Sequence, residues 1–249
     1  METRCFSAGA TGYTGRAVVR QLAEQGATVY AHVRPDSPKR EHWEEQFKAW
    51  GAQPDTTPWT QEAMTDRLAE LRPTQVFALL GTTAKRTSRE KKEGASITGY
   101  EGVDYGLSVM VLNAAAAQPG RPRFIYLSSL GVNGVTGNAY LKARWRVEEA
   151  LRKSGLPYTI ARPSFISGPD RDEFRPMERV GSVVSDKIFN GLAAIGIRGP
   201  GQQWGTITNV QLAKALIDAA ADGTPLEAHG RLLLPTLLKQ HVLAWGGED

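Results

Sequence analysis

Three glycines, Gly9, Gly12 and Gly15, have the types and spacing of a loop that could bind a pyrophosphate. They follow a short apolar run, 5–8, which predicts a buried strand, and apolar residues at helical spacing come after them. In such a strand–turn–helix, one glycine permits the tight turn, one lets the backbone approach the phosphates, and one lets the helix pack closely on the strand. The pattern predicts dinucleotide binding, and the alternative is an ordinary glycine-rich turn.

The helix that begins after these glycines offers free N–H groups and a partial positive charge to bound phosphates. Two threonine hydroxyls in the loop could add further donors. The predicted cofactor contacts of this loop are Gly9, Thr11, Gly12, Tyr13, Thr14 and Gly15.

The predicted second strand, 28–33, ends at Arg34, about where a dinucleotide fold binds the adenosine ribose. An acidic residue there would accept a hydrogen bond from the ribose 2′-hydroxyl and repel a 2′-phosphate. Arg34, with Arg16 and Lys39 nearby in the sequence, favours a 2′-phosphate instead. We therefore predict NADP(H) as the cofactor over NAD(H). The alternative is that Arg34 is an ordinary surface arginine at a strand end.

Strands and helices alternate along the chain, which predicts an α/β fold. Further strands are expected at 76–80, 123–127, 156–161 and 206–208, and the stretch 54–58 is expected to hold at most a short strand. Helices are expected at 39–50, 61–71, 103–114, 140–151 and 210–221. Gly81, Thr82 and Thr83 follow the continuous apolar strand 76–80, and open α/β sheets bind ligands at the carboxyl ends of their strands. These three residues are therefore also predicted to contact the cofactor.

Two segments interrupt this alternation. The basic loop 84–99 is either a flap that meets an anionic substrate or a solvated surface loop. Residues 165–205, with a helix expected at 178–193, are predicted to form a small lobe over the ligand crevice. The tail 224–249, with an apolar piece at 232–234, is predicted to add to that lobe. We find no repeat or linker and predict one domain over residues 1–249.

Composition restricts the remaining possibilities. The chain has 249 residues, of which 41% are hydrophobic and 22% charged, so we expect a soluble globular protein. No apolar run is long enough to cross a bilayer, and the first predicted strand leaves no room for a signal peptide. The single cysteine, Cys5, suits the cytosol and is expected to pack in a strand. The net charge of +4, without a basic helix stripe, predicts no nucleic-acid partner, and no metal site is predicted.

Taken together, the motifs resemble the atypical short-chain dehydrogenase/reductase superfamily. They are Gly9–Gly15, Leu127–Ser129, Tyr140 and Ala161–Pro163. Within it, the chain is similar to the Tat-interacting, oxidoreductase-like proteins that bind NADPH, on Leu80–Thr83, Tyr140–Leu141 and Arg162–Pro163. The resemblance covers most of residues 3–220. It implies a Rossmann-type, doubly wound parallel sheet of about seven strands, and it adds Pro163 to the cofactor contacts.

In catalytic members of that superfamily, a serine acts with a Tyr-x-x-x-Lys pair. The tyrosine passes a proton to or from the substrate oxygen, and the lysine lowers the pKa of the tyrosine and holds the nicotinamide ribose. Matched by position, the serine is Ser129, with Ser128 less favoured, and the tyrosine is Tyr140. Arg144 stands at the lysine position. Its charge could still favour a tyrosinate, but a planar guanidinium cannot copy the contacts of an ammonium with ribose.

These features predict an NADP-dependent oxidoreductase that acts on a small carbonyl or alcohol. If Arg144 does the work of the lysine, Arg144→Lys should keep or raise turnover. The alternative is a non-catalytic NADP(H)-binding redox sensor or regulatory protein, which the arginine favours. A third interpretation is a sugar-nucleotide epimerase or dehydratase, for which the chain looks too short to hold the usual substrate lobe. The helices at 103–117 and 140–152 would allow a dimer, so monomer and homodimer both stay open.

Overall fold

The central feature of the computed structural model is one parallel sheet. The model describes residues 2–82, 87–88, 92, 97–163, 166–167, 207–221 and 226–229. The strands of the sheet are β1 (Arg4–Ala8), β2 (Thr28–His32), β3 (Gln53–Asp55), β4 (Gln75–Ala78), β5 (Arg123–Leu127), β6 (Tyr158–Arg162) and β9 (Leu226–His229). Their spatial order is β3-β2-β1-β4-β5-β6-β9, and each neighbouring pair is parallel. The order reverses between β1 and β4, which is where doubly wound sheets open a ligand crevice.

Helices cover both faces of this sheet. They are α1 (Tyr13–Glu24), α2 (Arg40–Ala49), α3 (Gln61–Leu71), α4 (Ser108–Ala116), α5 (Ala139–Lys153) and α6 (Asn209–Ala221). A π-helical segment, Tyr100–Leu107, leads directly into α4, and a separate parallel pair joins β7 (Ile166–Ser167) to β8 (Ile207–Thr208). Side chains of α1, α2 and α6 share one core, while those of α3, α4 and α5 share the other. The predicted Rossmann-type fold with seven strands is therefore confirmed.

The strands are apolar on both sides because each face is covered. Cys5 of β1 packs in the core under α1, while its neighbour Phe6 packs in the core on the opposite face. Burial raises the pKa of the Cys5 thiol to about 12, so the thiol stays protonated and serves packing, as expected. Phe47 of α2 is fully buried and belongs to the same core as Cys5.

Two of the differences between the structure and the predicted elements concern the helix expected at 103–114 and strand β9. The helix expected at 103–114 begins as a π-helix at Tyr100, in a stretch where Gly102 and Gly106 lower α-helix propensity. Strand β9 was not predicted, because Leu226–His229 has no continuous apolar run. The predicted pieces at 178–193 and 232–234, most of the basic loop 84–99 and of the predicted lobe, and Thr83 lie outside the described residues.

No helix among the described residues is both long and apolar enough to span a membrane.

Candidate functional site

The glycine loop connects β1 to α1, and two of its glycines are required by contacts with the fold. Gly9 has a φ of +86°, and a Cβ there would lie 2.7 Å from the carbonyl carbon of Leu79. A Cβ on Gly15 would lie 2.1 Å from the carbonyl oxygen of Gly9, so only glycine lets α1 pack on the loop. The predicted tight turn and close helix packing therefore belong to Gly9 and Gly15.

Gly12 has a different role, because it begins α1 in an extended conformation. Its N–H donates to the carbonyl of Gly9 at 3.0 Å, and no side chain in the described residues caps the helix. The first turn also carries no acidic residue, so nothing there competes with an anion for the helix N-terminus. Thr11 lines the adjoining pocket, whereas Thr14 is buried and the carbonyl of Tyr13 accepts from Asn209 at 3.4 Å. This cradle fits a pyrophosphate.

The pocket next to this loop runs across the carboxyl ends of β1, β2 and β4. Its lining includes Gly9, Thr11, Gly12, His32, Arg34, Trp59, Leu80 and Gly81. Arg34 follows β2, and its side chain is 28% exposed, with Nε 3.7 Å from Asp36 Oδ1. Asp36 also lines the pocket, and an ion pair of that length with a largely exposed carboxylate contributes little. Arg34 thus lines the pocket, where the sequence predicts a residue that binds the 2′-phosphate.

The two other cations predicted near Arg34 differ in their surroundings. The Arg16 guanidinium carbon lies 5.3 Å from the ring centroid of Trp43 on α2 and 6.0 Å from that of Tyr13, so aromatic rings fix it beside the loop. Lys39 is exposed at the start of α2. Arg34 is therefore the one of these three residues that lines the pocket.

An aromatic wall that sequence reasoning missed closes the pocket beside Arg34. The ring centroids of His32 and Trp59 are 4.2 Å apart, and His32 Nε2 donates to the carbonyl of Thr57 at 2.8 Å. Asp55 Oδ1 accepts from the Thr57 N–H at 3.1 Å and so fixes the turn that carries Trp59. Burial lowers the pKa of His32, so this wall is neutral at pH 7. Trp59 Nε1 is buried without a partner among the described residues.

Gly81 and Thr82 follow β4, on the other side of β1 from the aromatic wall. Gly81 lines the pocket, and the N–H of Thr82 donates to Asp104 Oδ2 at 3.1 Å. Asp104 comes from the π-helical segment and is fully buried. Sequence reasoning missed it, although an acidic residue between Val103 and Leu107 on an apolar helix face was a usable signal.

The two serines after β5 have unequal surroundings. Ser128 is buried, and its Oγ donates to Glu148 Oε1 at 2.5 Å. Glu148 also accepts from Arg162 Nε at 2.9 Å and from Arg152 Nη2 at 3.1 Å, so Ser128 belongs to a buried network between β5, β6 and α5. Ser129 is only half-buried, and its Oγ makes one long bond, of 3.4 Å, to the carbonyl of Leu130. The geometry therefore favours Ser129 over Ser128 for contact with a ligand.

Pro163 lies just after β6 and is buried. Its carbonyl accepts from the N–H of Leu130 at 3.0 Å, which ties the end of β6 to the loop that carries Ser129. The structure thus brings Pro163 close to the predicted catalytic segment.

Tyr140 lies in the first turn of α5, which Asn138 caps through the N–H of Leu141 at 3.1 Å. The Tyr140 side chain is half-buried, with its ring 5.3 Å from that of Tyr100 and 5.2 Å from the Arg144 guanidinium carbon. No hydrogen bond joins Tyr140 to Ser129 in the described part of the chain. The predicted sharing of one helix face by Tyr140 and Arg144 is present.

Arg144 is almost fully buried, and both of its Nη atoms donate hydrogen bonds to acceptors within the protein. Nη2 donates to the carbonyl of Leu80 at 2.9 Å and to Asp104 Oδ1 at 2.8 Å, while Nη1 donates to the carbonyl of Leu127. Burial by itself would lower the pKa of Arg144, but Tyr126, Tyr140 and Asp104 together raise it, so the guanidinium stays charged. Nε is buried without a partner among the described residues.

A Rossmann sheet with a glycine loop at its switch point and a Tyr-x-x-x-Arg helix after β5 defines an NAD(P)-binding protein of the short-chain dehydrogenase/reductase type. The NAD(P)H-binding family model matches residues 9–190, and the chain belongs to this family. The glycine loop, the switch-point pocket and the residues around them therefore form an NAD(P)-binding domain.

Three comparisons place the chain among named proteins. It is 29% identical to the chloroplastic protein TIC 62 of Oryza sativa subsp. japonica. The match covers 76% of this chain but only 40% of the length of TIC 62. It is 29% identical to the mitochondrial protein fmp52 of Aspergillus fumigatus, over 74% of this chain and 76% of that protein. UDP-glucose 4-epimerase from Brucella ovis, solved in complex with NAD, superposes with a TM-score of 0.63 at 15% identity, over 91% of this chain and 76% of that one. At this identity the likeness to the epimerase shows the shared fold.

No group of three or more His, Cys, Asp or Glu side chains is placed to hold a metal ion within the described ranges.

Proposed function

We propose that this chain is an NADP(H)-dependent oxidoreductase acting on a small carbonyl or alcohol. The observation that supports it is the position of Ser129 and Tyr140 after β5, on the same sheet edge as the dinucleotide pocket. When bound, the nicotinamide would supply or accept the hydride. The chain's own residues would bind and orient the reactants and move the proton.

The pyrophosphate would be held by the N–H groups at the start of α1 and the 2′-phosphate by Arg34. Ser129 would hydrogen-bond the substrate oxygen, and the Tyr140 hydroxyl would donate a proton to it or remove one. The Arg144 guanidinium faces the Tyr140 ring, and its Nη donors are engaged by Leu80, Leu127 and Asp104 within the protein.

The choice of NADP(H) over NAD(H) is tested by Arg34→Ala. Losing a charge-assisted hydrogen bond to the 2′-phosphate should weaken NADPH binding by about 1.5–3 kcal/mol, while NADH affinity changes little. Calorimetric titration with both dinucleotides measures the difference. Arg20→Ala is the matched control, because Arg20 is an exposed arginine of α1 that pairs with Glu24. If Arg34→Ala lowers the two affinities equally, Arg34 is not the phosphate reader.

A second candidate is an NADP(H)-binding sensor or regulator without turnover. The engagement of Arg144 by Leu80, Leu127 and Asp104 favours it, since no free cation replaces the ribose-binding lysine at this position. Both candidates require the same dinucleotide pocket and differ only in whether the Tyr140 hydroxyl acts on a substrate.

We propose a small-molecule substrate, with an anionic one favoured by the basic loop 84–99. We propose no nucleic-acid or membrane partner, and either a monomer or a homodimer. The single cysteine supports the cytosol as the compartment, while TIC 62 and fmp52 are named as chloroplastic and mitochondrial proteins.

A further inference from the structure

We propose that the buried Asp104–Arg144 pair is a positioning clamp for the nicotinamide half of the dinucleotide. On this view Arg144 acts through the backbone at the ends of β4 and β5, and it does not itself touch the cofactor. The inference rests on the proposed binding of NADP(H), and it assigns the arginine a role different from that of the lysine it replaces.

One guanidinium holds two strand ends together. Its Nη2 donates to the carbonyl of Leu80, two residues beyond β4, and its Nη1 donates to the carbonyl of Leu127, the last residue of β5. Asp104 completes the clamp, because Oδ1 lies 2.8 Å from Nη2 and Oδ2 accepts the N–H of Thr82. The planar guanidinium reaches these acceptors from two different nitrogens, whereas the three donors of an ammonium all come from one nitrogen.

The clamp lies directly behind the pocket wall. Leu80 and Gly81 line the pocket, and a Cβ on Gly81 would lie 2.6 Å from Arg144 Nη2. The glycine thus lets the backbone of the wall rest against the guanidinium. On the other strand, Leu127 leads directly into Ser128 and Ser129. The pair therefore fixes the distance between the wall after β4 and the predicted catalytic serine after β5.

Fold stability alone does not account for such a pair. A buried ion pair repays little more than its desolvation cost, and well-packed apolar residues often do as well. Here the carboxylate is delivered by a π-helical segment, a rare form of helix that is frequent at functional sites. Both charges are directed at the backbone that borders the pocket, and this placement connects the pair with the ligand.

Arg144→Lys separates the clamp from a lysine-like role, because the two accounts predict opposite results. Lysine keeps the charge beside Asp104 but offers one nitrogen in place of the two that serve the carbonyls of Leu80 and Leu127. The clamp predicts that NADPH affinity falls by at least about 10-fold, since small displacements of positioning groups have large effects. The affinity for 2′,5′-ADP, which contains only the adenosine half of NADP, should stay within about two-fold, because that half lies at the other end of the pocket. Calorimetric titration with NADPH and with 2′,5′-ADP gives, for each ligand, the ratio of the variant's affinity to that of the wild type.

The control is Arg146→Lys, since Arg146 also joins α5 to the π-helical segment, through an exposed pair with Glu101 at 2.6 Å. It should change neither affinity. Gly81→Ala is the second variant, and its added methyl group would displace the Arg144 guanidinium without any change in α5. It should lower the affinity for NADPH relative to that for 2′,5′-ADP, as Arg144→Lys does. It therefore tests the clamp even if Arg144→Lys does not fold.

Equal or tighter NADPH binding by Arg144→Lys would overturn the clamp, and so would an equal loss of both ligands in the two clamp variants. A wild-type chain that binds neither ligand would contradict the proposed function itself.

Discussion

Tyr140→Phe is expected to lower NADPH-linked carbonyl turnover by about 10²–10⁴-fold, the usual contribution of a positioned general acid. The change removes only a hydroxyl. The ring can keep its contacts with Tyr100 and with the Arg144 guanidinium, so the fold and NADPH affinity should remain close to those of the wild type. The measurement is NADPH oxidation against a panel of small aldehydes and ketones, together with an NADPH titration of the same variant.

Tyr100→Phe is the matched control for this experiment. It removes a phenol oxygen from the neighbouring ring, 5.3 Å away by centroid, on the π-helical segment. It should retain most of the turnover of the wild type. A Tyr140→Phe variant as active as the wild type would remove Tyr140 from the mechanism. A wild type that turns over no carbonyl of the panel while still binding NADPH would favour the sensor over the enzyme.

Gly12→Val is expected to weaken NADPH binding by at least about 100-fold, which corresponds to losing two hydrogen bonds to a charged group. A Cβ on Gly12 would lie 3.1 Å from the carbonyl oxygen of Gly9, so the loop must shift by a few tenths of an ångström to admit it, while the backbone of Gly12 is extended and has a φ that any residue adopts. The fold should therefore survive. The valine methyl groups would occupy the space in front of the α1 N-terminus, where the pyrophosphate must approach.

Gly120→Val controls for the substitution itself, because a Cβ at Gly120 meets no atom within 4 Å. Circular dichroism shows whether each variant is folded, and calorimetry measures its NADPH affinity. If folded Gly12→Val binds NADPH as tightly as the wild type, the loop is not the dinucleotide site.

The parts of the fold that sequence could predict are those with a local signal. The glycine loop has one because Gly9 and Gly15 are demanded by backbone contacts within a short stretch of chain. Strand β5 has a local signal because its residues 124–127 form an apolar run, as expected for a strand that is buried on both faces. The edge strand β3 begins one residue before the stretch expected, and Pro54 lies within it, which is permitted at the edge of a sheet.

The parts that sequence could not predict depend on distant partners. The spacing of Tyr140 and Arg144 places them on one helix face, but it does not show that Leu80, Leu127 and Asp104 take up the guanidinium. Those acceptors come from segments 17–64 residues away.

The same holds for the aromatic wall and for the choice between the serines. Trp59 lies 27 positions after His32, its partner across the sheet edge. Glu148, which engages Ser128, lies 20 positions after that serine. Hydrophobic periodicity shows which face of a helix or strand is apolar. It does not show which polar side chains of two different elements contact each other.

The pocket between the glycine loop and Arg34 is proposed to bind NADPH. A calorimetric titration of the wild-type chain with NADPH and, in parallel, with NADH tests this most directly. We expect saturable binding of one NADPH per chain, with NADH weaker by about 10-fold or more, because NADH lacks the 2′-phosphate that Arg34 would contact. Absence of saturable NADPH binding, or equal affinity for the two dinucleotides, would contradict it.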